Sequence, residues 1–292
     1  NWHDESWTAP AIYGALARRF PERYDWVTTI ALPQPGDREF AERAIAGLEA
    51  DFAAGAVGCK IWKNIGMEVK RADGAFMMID DPIFTPIYEY LTRIGQPLLL
   101  HIGEPLACWQ PLDPGNPHYG YYSQHPQWHM YGRTDFPSHT EIMAARDRVL
   151  AAHPKLRVIG AHLGSHEYDV AEVARRFEAF PNFAVDISAR LADLAFQDPG
   201  KVRAWIDRYP DRILWSTDEG MKTHTSSMTP AEEAAMLARL DAAWEKYTRY
   251  FESPDQITLI GRQCRCLGLP PDLLERLYTR NALAWYPAMR AH

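Results

Sequence analysis

The chain has 292 residues, 47% of them hydrophobic, which is enough for one large core or for two small domains. Its formal net charge of −7 argues against a surface that binds nucleic acid or an acidic membrane. No apolar run approaches the roughly 20 residues of a membrane-spanning helix. We therefore expect a globular protein that has neither of these partners.

The four cysteines form no dense framework, so we expect a reducing compartment, the cytoplasm, and no disulfides. Cys264 and Cys266 are too close for the usual zinc spacing and lack a second pair, so we interpret them as structural. The chain opens at Asn1 without a methionine, in what resembles the middle of a fold. We therefore expect further residues to precede it.

Helix-like and strand-like segments alternate along the chain. The strand-like segments are mostly unbroken apolar runs, as expected when helices cover a parallel sheet. In chain order the patterns predict helix 9–20, strand 26–32, helix 38–52, strand 56–62, helix 83–94, strand 97–103, helix 140–152, strand 157–164, helix 170–180, strand 183–189, helix 201–209, strand 212–218, helix 231–250 and helix 272–283.

Six strands that alternate with helices predict an α/β fold, and we favour a (β/α)8 TIM barrel. A closed barrel needs eight strands, so this prediction places the first two βα units upstream of Asn1. The alternative is an open, doubly wound sheet of six strands. We expect residues 1–292 to form a single domain.

Residues 104–138 show no helix or strand pattern and are rich in aromatic side chains, including Trp109 and Trp128. Long irregular segments in compact domains are usually functional or disordered, and disordered segments contain few aromatics. The segment therefore predicts an ordered lid over a site. The alternative is an aromatic interface with another subunit, and exposed aromatics make a homodimer plausible.

Three predicted strands end in a residue that can bind metal or transfer protons: His101, His162 and Asp218. Because the carboxyl ends of parallel strands meet at one edge of the sheet, we expect these side chains to share one active site. His101 is predicted to bind metal, and His162 to bind metal or act as general acid or base. Asp218 is predicted to bind metal or accept a proton, the alternative being an N-cap of the next helix.

Basic and aromatic side chains near these strand ends are candidates for substrate binding. Lys60 lies in an otherwise uncharged strand and is predicted to hold a substrate carboxylate, unless it is carbamylated and bridges two metal ions. Arg190 could hold the same group or pair with Asp186. We also expect Trp109 and Trp128 in the lid to contact substrate.

The chain lacks the sequence patterns of several other enzyme classes. It has no GxGxxG after a strand, no P-loop and no GxSxG elbow.

The ordered motifs of the chain resemble the amidohydrolase superfamily, and specifically its amidohydrolase-related branch. That branch also contains aminocarboxymuconate semialdehyde decarboxylase and resorcylate decarboxylase. The resemblance spans nearly the whole chain. The stretches that carry it are Gly-Cys-Lys-Ile at 58–61, Leu-Leu-Leu-His-Ile-Gly at 98–103, Gly-Ala-His-Leu-Gly-Ser at 160–165, Phe-Ala-Val-Asp-Ile-Ser at 183–188, Leu-Trp-Ser-Thr-Asp at 214–218 and Asn-Ala-Leu-Ala-Trp-Tyr-Pro at 281–287.

The resemblance implies a metal-dependent (β/α)8 barrel. It matches His101 to the metal-binding histidine after the fifth strand and His162 to the sixth-strand histidine, which is a catalyst or a ligand. It matches Asp218 to the eighth-strand aspartate that binds metal and handles the proton of water, and Lys60 to the fourth-strand lysine. The first-strand His-x-His of the family is absent from the sequence, in agreement with two upstream βα units.

The predicted function is hydrolysis of a small, carboxylate-bearing substrate by water activated on a divalent metal. We expect zinc, with manganese or iron as alternatives, held by His101, Asp218 and an upstream histidine pair. One alternative is non-oxidative decarboxylation of an aromatic or unsaturated acid on the same site. The other is a catalytically inactive barrel used for binding.

Overall fold

The computed structural model describes residues 10–219 and 229–290. One parallel sheet contains six strands that lie side by side in chain order. These strands are β1 (Trp26–Thr29), β2 (Ala56–Ile61), β3 (Leu98–Leu100), β4 (Val158–Gly160), β5 (Phe183–Asp186) and β6 (Ile213–Leu214).

The strand order decides between the two predicted architectures. A doubly wound sheet reverses its strand order at a switch point. Here each strand pairs with the next strand in the chain, and all five pairings are parallel. This is the winding of a (β/α) barrel, so the doubly wound alternative is wrong. Among the described residues, β1 and β6 are the two edges of the sheet.

Helices connect the strands and cover the outer face of the sheet. The longer helices are α1 (Pro10–Arg19), α2 (Phe40–Ala53), α3 (Thr85–Ile94), α4 (His139–Ala152), α5 (Val170–Ala179), α6 (Pro199–Arg208) and α7 (Pro230–Glu252). A last helical segment runs through Pro271–Glu275, the π-turn Arg276–Arg280 and Asn281–Trp285. These bounds confirm each predicted helix to within a few residues.

The two faces of the sheet enclose different cores. The register aligns Lys60, Leu99, Ile159 and Ala184 on the inner face. There Ile159, Ala184 and Leu214 form a small cluster, against which Trp285 and Tyr286 from the last helical segment pack. The outer face packs against the helices in one large cluster that extends from Ile30 to Leu277.

An antiparallel hairpin that the sequence patterns did not predict follows α7. Its strands are β7 (Gln256–Leu259) and β8 (Arg262–Arg265). The two residues between them, Ile260 and Gly261, both have positive φ (48° and 74°), as a type I′ turn requires. Isoleucine is unusual at such a position, which explains why the turn left no recognisable signal.

The 104–138 segment is ordered and packed. It contains short helical turns at Leu106–Trp109, Tyr119–Tyr122 and Pro126–Trp128. Cys108, Tyr122 and Met130 are fully buried in the large cluster. All four cysteines of the chain are buried and free. No described helix is both long enough and apolar enough to cross a membrane.

Candidate active site

The ends of β2, β3 and β6 surround one cavity of about 370 Å³. Lys60, His101 and Asp218, three of the predicted site residues, line this cavity together with Trp62. Lys60 lies in β2 and Trp62 directly follows that strand, and both side chains face the cavity. The remaining lining residues come from α1 and β1 and the turn between them: Tyr13, Asp25, Trp26 and Val27.

His101 directly follows β3 and is buried at the centre of this arrangement. Its backbone N–H donates to the carbonyl of Ile61 at 3.0 Å, which extends the ladder between β2 and β3. Its ring lies 4.3 Å from the ring of His162 and 6.0 Å from that of Trp62, measured between centroids. Burial, reinforced by the nearby basic groups, holds the pKa of His101 well below its usual range. The ring is therefore neutral and able to act as a ligand.

His162 is presented by a strained turn at the end of β4. His162, Leu163 and Ser165 all have φ between 57° and 59°, and Gly164 has φ of 61°, so four consecutive residues are left-handed. This conformation costs about 1–2 kcal/mol for each residue other than glycine. A side chain on Gly160 would approach the Cα of Gly164 to 2.8 Å, so the tight turn also requires glycine there.

Hydrogen bonds fix the orientation and the tautomer of the His162 ring. Its Nδ1 lies 2.8 Å from the carbonyl oxygen of Ser188 and 3.0 Å from the Ser188 hydroxyl. That hydroxyl donates to Asp186, so both groups can only accept from Nδ1. Nδ1 must therefore carry the hydrogen, which leaves Nε2 with a free lone pair. Burial, followed by the charge of Arg190, holds the pKa of His162 well below its usual range.

Asp218 follows β6 with φ of 61°, a left-handed conformation that turns the chain sharply at the cavity. It also lines a second cavity of about 400 Å³, between the end of β6, α7 and the hairpin. The next described helix, α7, begins at Pro230 and is capped by Thr229 through a capping box with Glu232. The alternative that Asp218 is the N-cap of this helix is therefore wrong.

The two basic candidates differ in their surroundings. Lys60 is half-buried and lines the cavity with His101. Arg190 follows β5, and its Nη1 donates to the carbonyl of Ala189 at 2.8 Å, whereas its buried Nε has no hydrogen-bond partner among the described residues. Asp186 instead accepts from the backbone N–H groups of His162 and Ser188, at 2.9 and 3.0 Å. The structure thus gives Asp186 a role in holding the His162 turn, in place of the alternative pair with Arg190.

The two tryptophans of the 104–138 segment occupy different places, and neither lines the cavity around His101. Trp109 donates its indole N–H to the carbonyl of Pro137 at 3.1 Å, and its ring lies 5.4 Å from that of His139. Trp128 lies 6.4 Å from Trp62, one layer behind the cavity wall. Their contact with substrate stays a prediction.

A buried ion pair between Lys63 and Glu104 lies beside the cavity. Burial lowers the pKa of Lys63 to about 8. Glu104 also accepts a hydrogen bond from the Tyr122 hydroxyl at 3.2 Å. The sequence shows that Lys63 is adjacent to Trp62 and that Glu104 follows His101 closely, but it does not show that the two side chains meet.

The described residues do not form a complete metal site. His101 and Asp218 share the cavity, and His162 lies beside His101. Residues 10–219 and 229–290 nevertheless form no group of three or more His, Cys, Asp or Glu side chains that could hold an ion. The chemistry of these donors suits a divalent metal, but the described residues do not complete a coordination sphere.

Comparisons with solved structures identify the barrel. An uncharacterised TIM-barrel protein from Bordetella bronchiseptica is 18% identical, with a TM-score of 0.50 over 96% of this chain and 73% of its own. A dihydroxybenzoic acid decarboxylase from a Polaromonas species, solved with manganese and 2-nitroresorcinol, is 17% identical, with a TM-score of 0.54 over 97% and 76%. 4-Oxalomesaconate hydratase from Rhodopseudomonas palustris is 14% identical, with a TM-score of 0.54 over 96% and 70%.

A search of curated protein sequences found no match. A sequence profile of the amidohydrolase family, however, matches residues 25–288, which include every strand of the parallel sheet and the residues that follow each strand. With the barrel winding and the cavity at its strand ends, this match over most of the chain shows that the protein belongs to the amidohydrolase family.

Proposed function

We propose that this protein is a metal-dependent hydrolase that uses water to cleave a bond in a small, carboxylate-bearing substrate. The observation that carries the proposal is the free Nε2 lone pair of His162, whose ring lies 4.3 Å from that of His101. His101 in turn lines a cavity together with Lys60 and Asp218. A buried proton acceptor beside such a cavity suits the removal of a proton from water near an anionic substrate.

The tautomer of His162 favours hydrolysis over decarboxylation. Decarboxylation ends with delivery of a proton to carbon, which requires a protonated donor in the site. The donation of Nδ1–H to Ser188 leaves Nε2 as an acceptor, so His162 is arranged to take a proton. Asp218 is the second candidate for this role.

Lys60 and Arg190 are the candidates for holding the substrate carboxylate. Lys60 lines the cavity, where an anion would be partly shielded from water. The unpartnered Nε of Arg190 is a donor that a carboxylate oxygen could satisfy.

His101 and Asp218 would contribute two ligands to a divalent ion, with zinc as our first choice and manganese or iron as alternatives. When bound, such an ion supplies Lewis-acid chemistry, which polarises an oxygen atom of water or substrate. Elemental mass spectrometry should find about one ion per chain, and His101→Ala should lower that content. Equal metal content in the two proteins would contradict this assignment.

The reaction type can be tested directly with a panel of small carboxylate-bearing amides, lactones and aromatic acids in H2¹⁸O. Incorporation of ¹⁸O into the organic product, detected by mass spectrometry, is the result expected for a hydrolase. Release of CO2 without such incorporation would identify a decarboxylase and overturn the proposal. No conversion by metal-supplied protein would favour the inactive barrel.

A further inference from the structure

We propose that Lys63 and Glu104 are positioning residues: their buried ion pair holds Trp62 against His101. This inference rests on the proposed function, because the site that the pair would position is the active site proposed above. Neither residue lines the cavity, whereas Trp62 does, and Trp62 contacts both Lys63 and His101. The charge of Lys63 also acts on the pKa of His101, so the pair reaches the site both through Trp62 and through this charge.

The ion pair joins three separate segments of the chain. Lys63 follows β2. Glu104 comes three residues after His101, which directly follows β3. Their side chains are only 5% and 7% exposed. The hydroxyl of Tyr122 reaches Glu104 from the short helix in the lid, at 3.2 Å. The pair therefore fastens the lid to the ends of two neighbouring strands.

The ammonium group of Lys63 also organises the aromatic wall of the cavity. It lies 5.1 Å from the ring centroid of Trp62 and 4.1 Å from that of Trp128, within cation–π range of both. Trp62 in turn meets Trp128 edge-on at 6.4 Å and His101 edge-on at 6.0 Å. Lys63 and Trp128 thus both contact Trp62, and the contact of Trp62 with His101 limits how the His101 ring can tilt.

Stability alone is a poor explanation for this pair. Removing two charges from water is costly, and well-packed apolar replacements of buried ion pairs are often neutral or stabilising. Removal of only one partner would leave an unpaired buried charge and destabilise the protein. A variant that replaces both charges can therefore separate a role in positioning from a role in stability.

The test compares wild type with the double variant Lys63→Met/Glu104→Leu. The matched control is Arg203→Met/Asp207→Leu, which removes the surface ion pair of α6. We expect the double variant to unfold near the wild-type temperature, while kcat falls by about 10- to 100-fold on a substrate found in the ¹⁸O experiment, with little change in KM. The control should keep the wild-type kcat.

A second readout does not require activity. The ¹⁵N signals of His101, assigned by loss in His101→Gln, should shift in the double variant and stay in place in the control. An unchanged His101 signal together with an unchanged kcat would overturn the inference. If no substrate is found, the proposed function fails and the His101 signal alone decides whether the pair positions the ring.

Folding of the double variant is itself checked by circular dichroism. If it does not fold, the same measurements are made on Lys63→Arg. This variant keeps the charge but alters the contact with both indole rings. A shifted His101 signal in this variant supports the inference, and a wild-type signal overturns it.

Discussion

The Nε2 lone pair of His162 is free because Nδ1 carries the ring hydrogen. Both Ser188 groups near Nδ1, the carbonyl and the hydroxyl, can only accept a hydrogen bond from it. The serine hydroxyl is committed to Asp186, which also accepts the backbone N–H of His162. The same aspartate therefore holds the turn and, through Ser188, sets the tautomer. The sequence predicted His162 as a site residue, but the partners of its backbone N–H and of its ring, Asp186 and Ser188, lie 24 and 26 positions later in the chain.

Asp218 provides the sharpest test at this scale. Asp218→Asn removes the negative charge but keeps the shape of the side chain, so we expect activity to fall by about 100-fold or more. The fold should be retained. Steady-state kinetics and circular dichroism measure the two effects.

The matched control is Asp211→Asn, two residues before β6, where the carboxylate pairs with Arg276 on the surface. This variant should keep near-native activity. Near-native rates in Asp218→Asn would show that the proposed role of this carboxylate is wrong.

At the scale of elements, local signals predicted the helices well and the left-handed turn poorly. Ser138 precedes the predicted helix 140–152 by two residues, and the structure shows a capping box between Ser138 and Glu141. This motif lies within four residues, so the sequence displays it. The turn after β4 depends on distant partners instead: Ser165 donates to the carbonyl of Ile102 at 2.7 Å, and the carbonyl of Gly164 accepts from Arg146.

Gly164 should be the residue of this turn that tolerates substitution least. Its φ is 61°, and an added methyl group would lie 2.9 Å from the Cζ atom of Phe183. We expect Gly164→Ala to destabilise the protein by about 2 kcal/mol or more, in proportion to both strain and overpacking. Chemical denaturation measures this difference.

Gly47→Ala is the control, because Gly47 lies in α2 with no atom within 4 Å of an added methyl. It should leave stability unchanged or raise it by about 0.5–1 kcal/mol. Equal effects of the two substitutions would contradict the strain assigned to the turn.

For the whole molecule, the buried histidines should make stability depend on pH. Burial lowers the pKa of His139 to about 4 from an ordinary value of 6.5, and its Nε2 lies 2.8 Å from the carbonyl of Ser165. Between these two values the unfolded chain binds a proton that the folded chain does not. The contribution of His139 to the free energy of unfolding should therefore fall as pH drops below about 6.5 and level off near 4, by on the order of 3 kcal/mol.

Urea denaturation at pH 7.5, 6 and 5 measures the effect, and His139→Gln isolates the share of this residue. The variant should lose less stability over that range than wild type. Equal losses would show that His139 does not contribute.

The exposed aromatic side chains of the lid bear on assembly. Tyr119, Tyr121 and Tyr131 are between 41% and 54% exposed. A homodimer is expected if these rings meet a second copy, since aromatic residues are enriched at interfaces. Sedimentation velocity should then show a dimer that Tyr131→Glu weakens, whereas a wild-type monomer would contradict this expectation.

Much of the architecture follows from patterns that lie within short stretches of the chain. Apolar runs identified six strands, and 3.6-residue periodicity with caps identified the helices between them. Because parallel strands align their carboxyl ends, the runs also predicted that His101, His162 and Asp218 lie near one edge of the sheet. The sequence could not distinguish a barrel from a doubly wound sheet, since that difference lies in strand order.

Contacts between distant segments settled the remaining questions. Strand order excluded the doubly wound sheet, and the position of Thr229 excluded Asp218 as a cap of α7. The ion pair of Lys63 with Glu104 and the tautomer of His162 depend on side chains that are 41 and 26 residues apart. No local sequence pattern encodes such pairings, because the two partners come into contact only after the chain between them has folded.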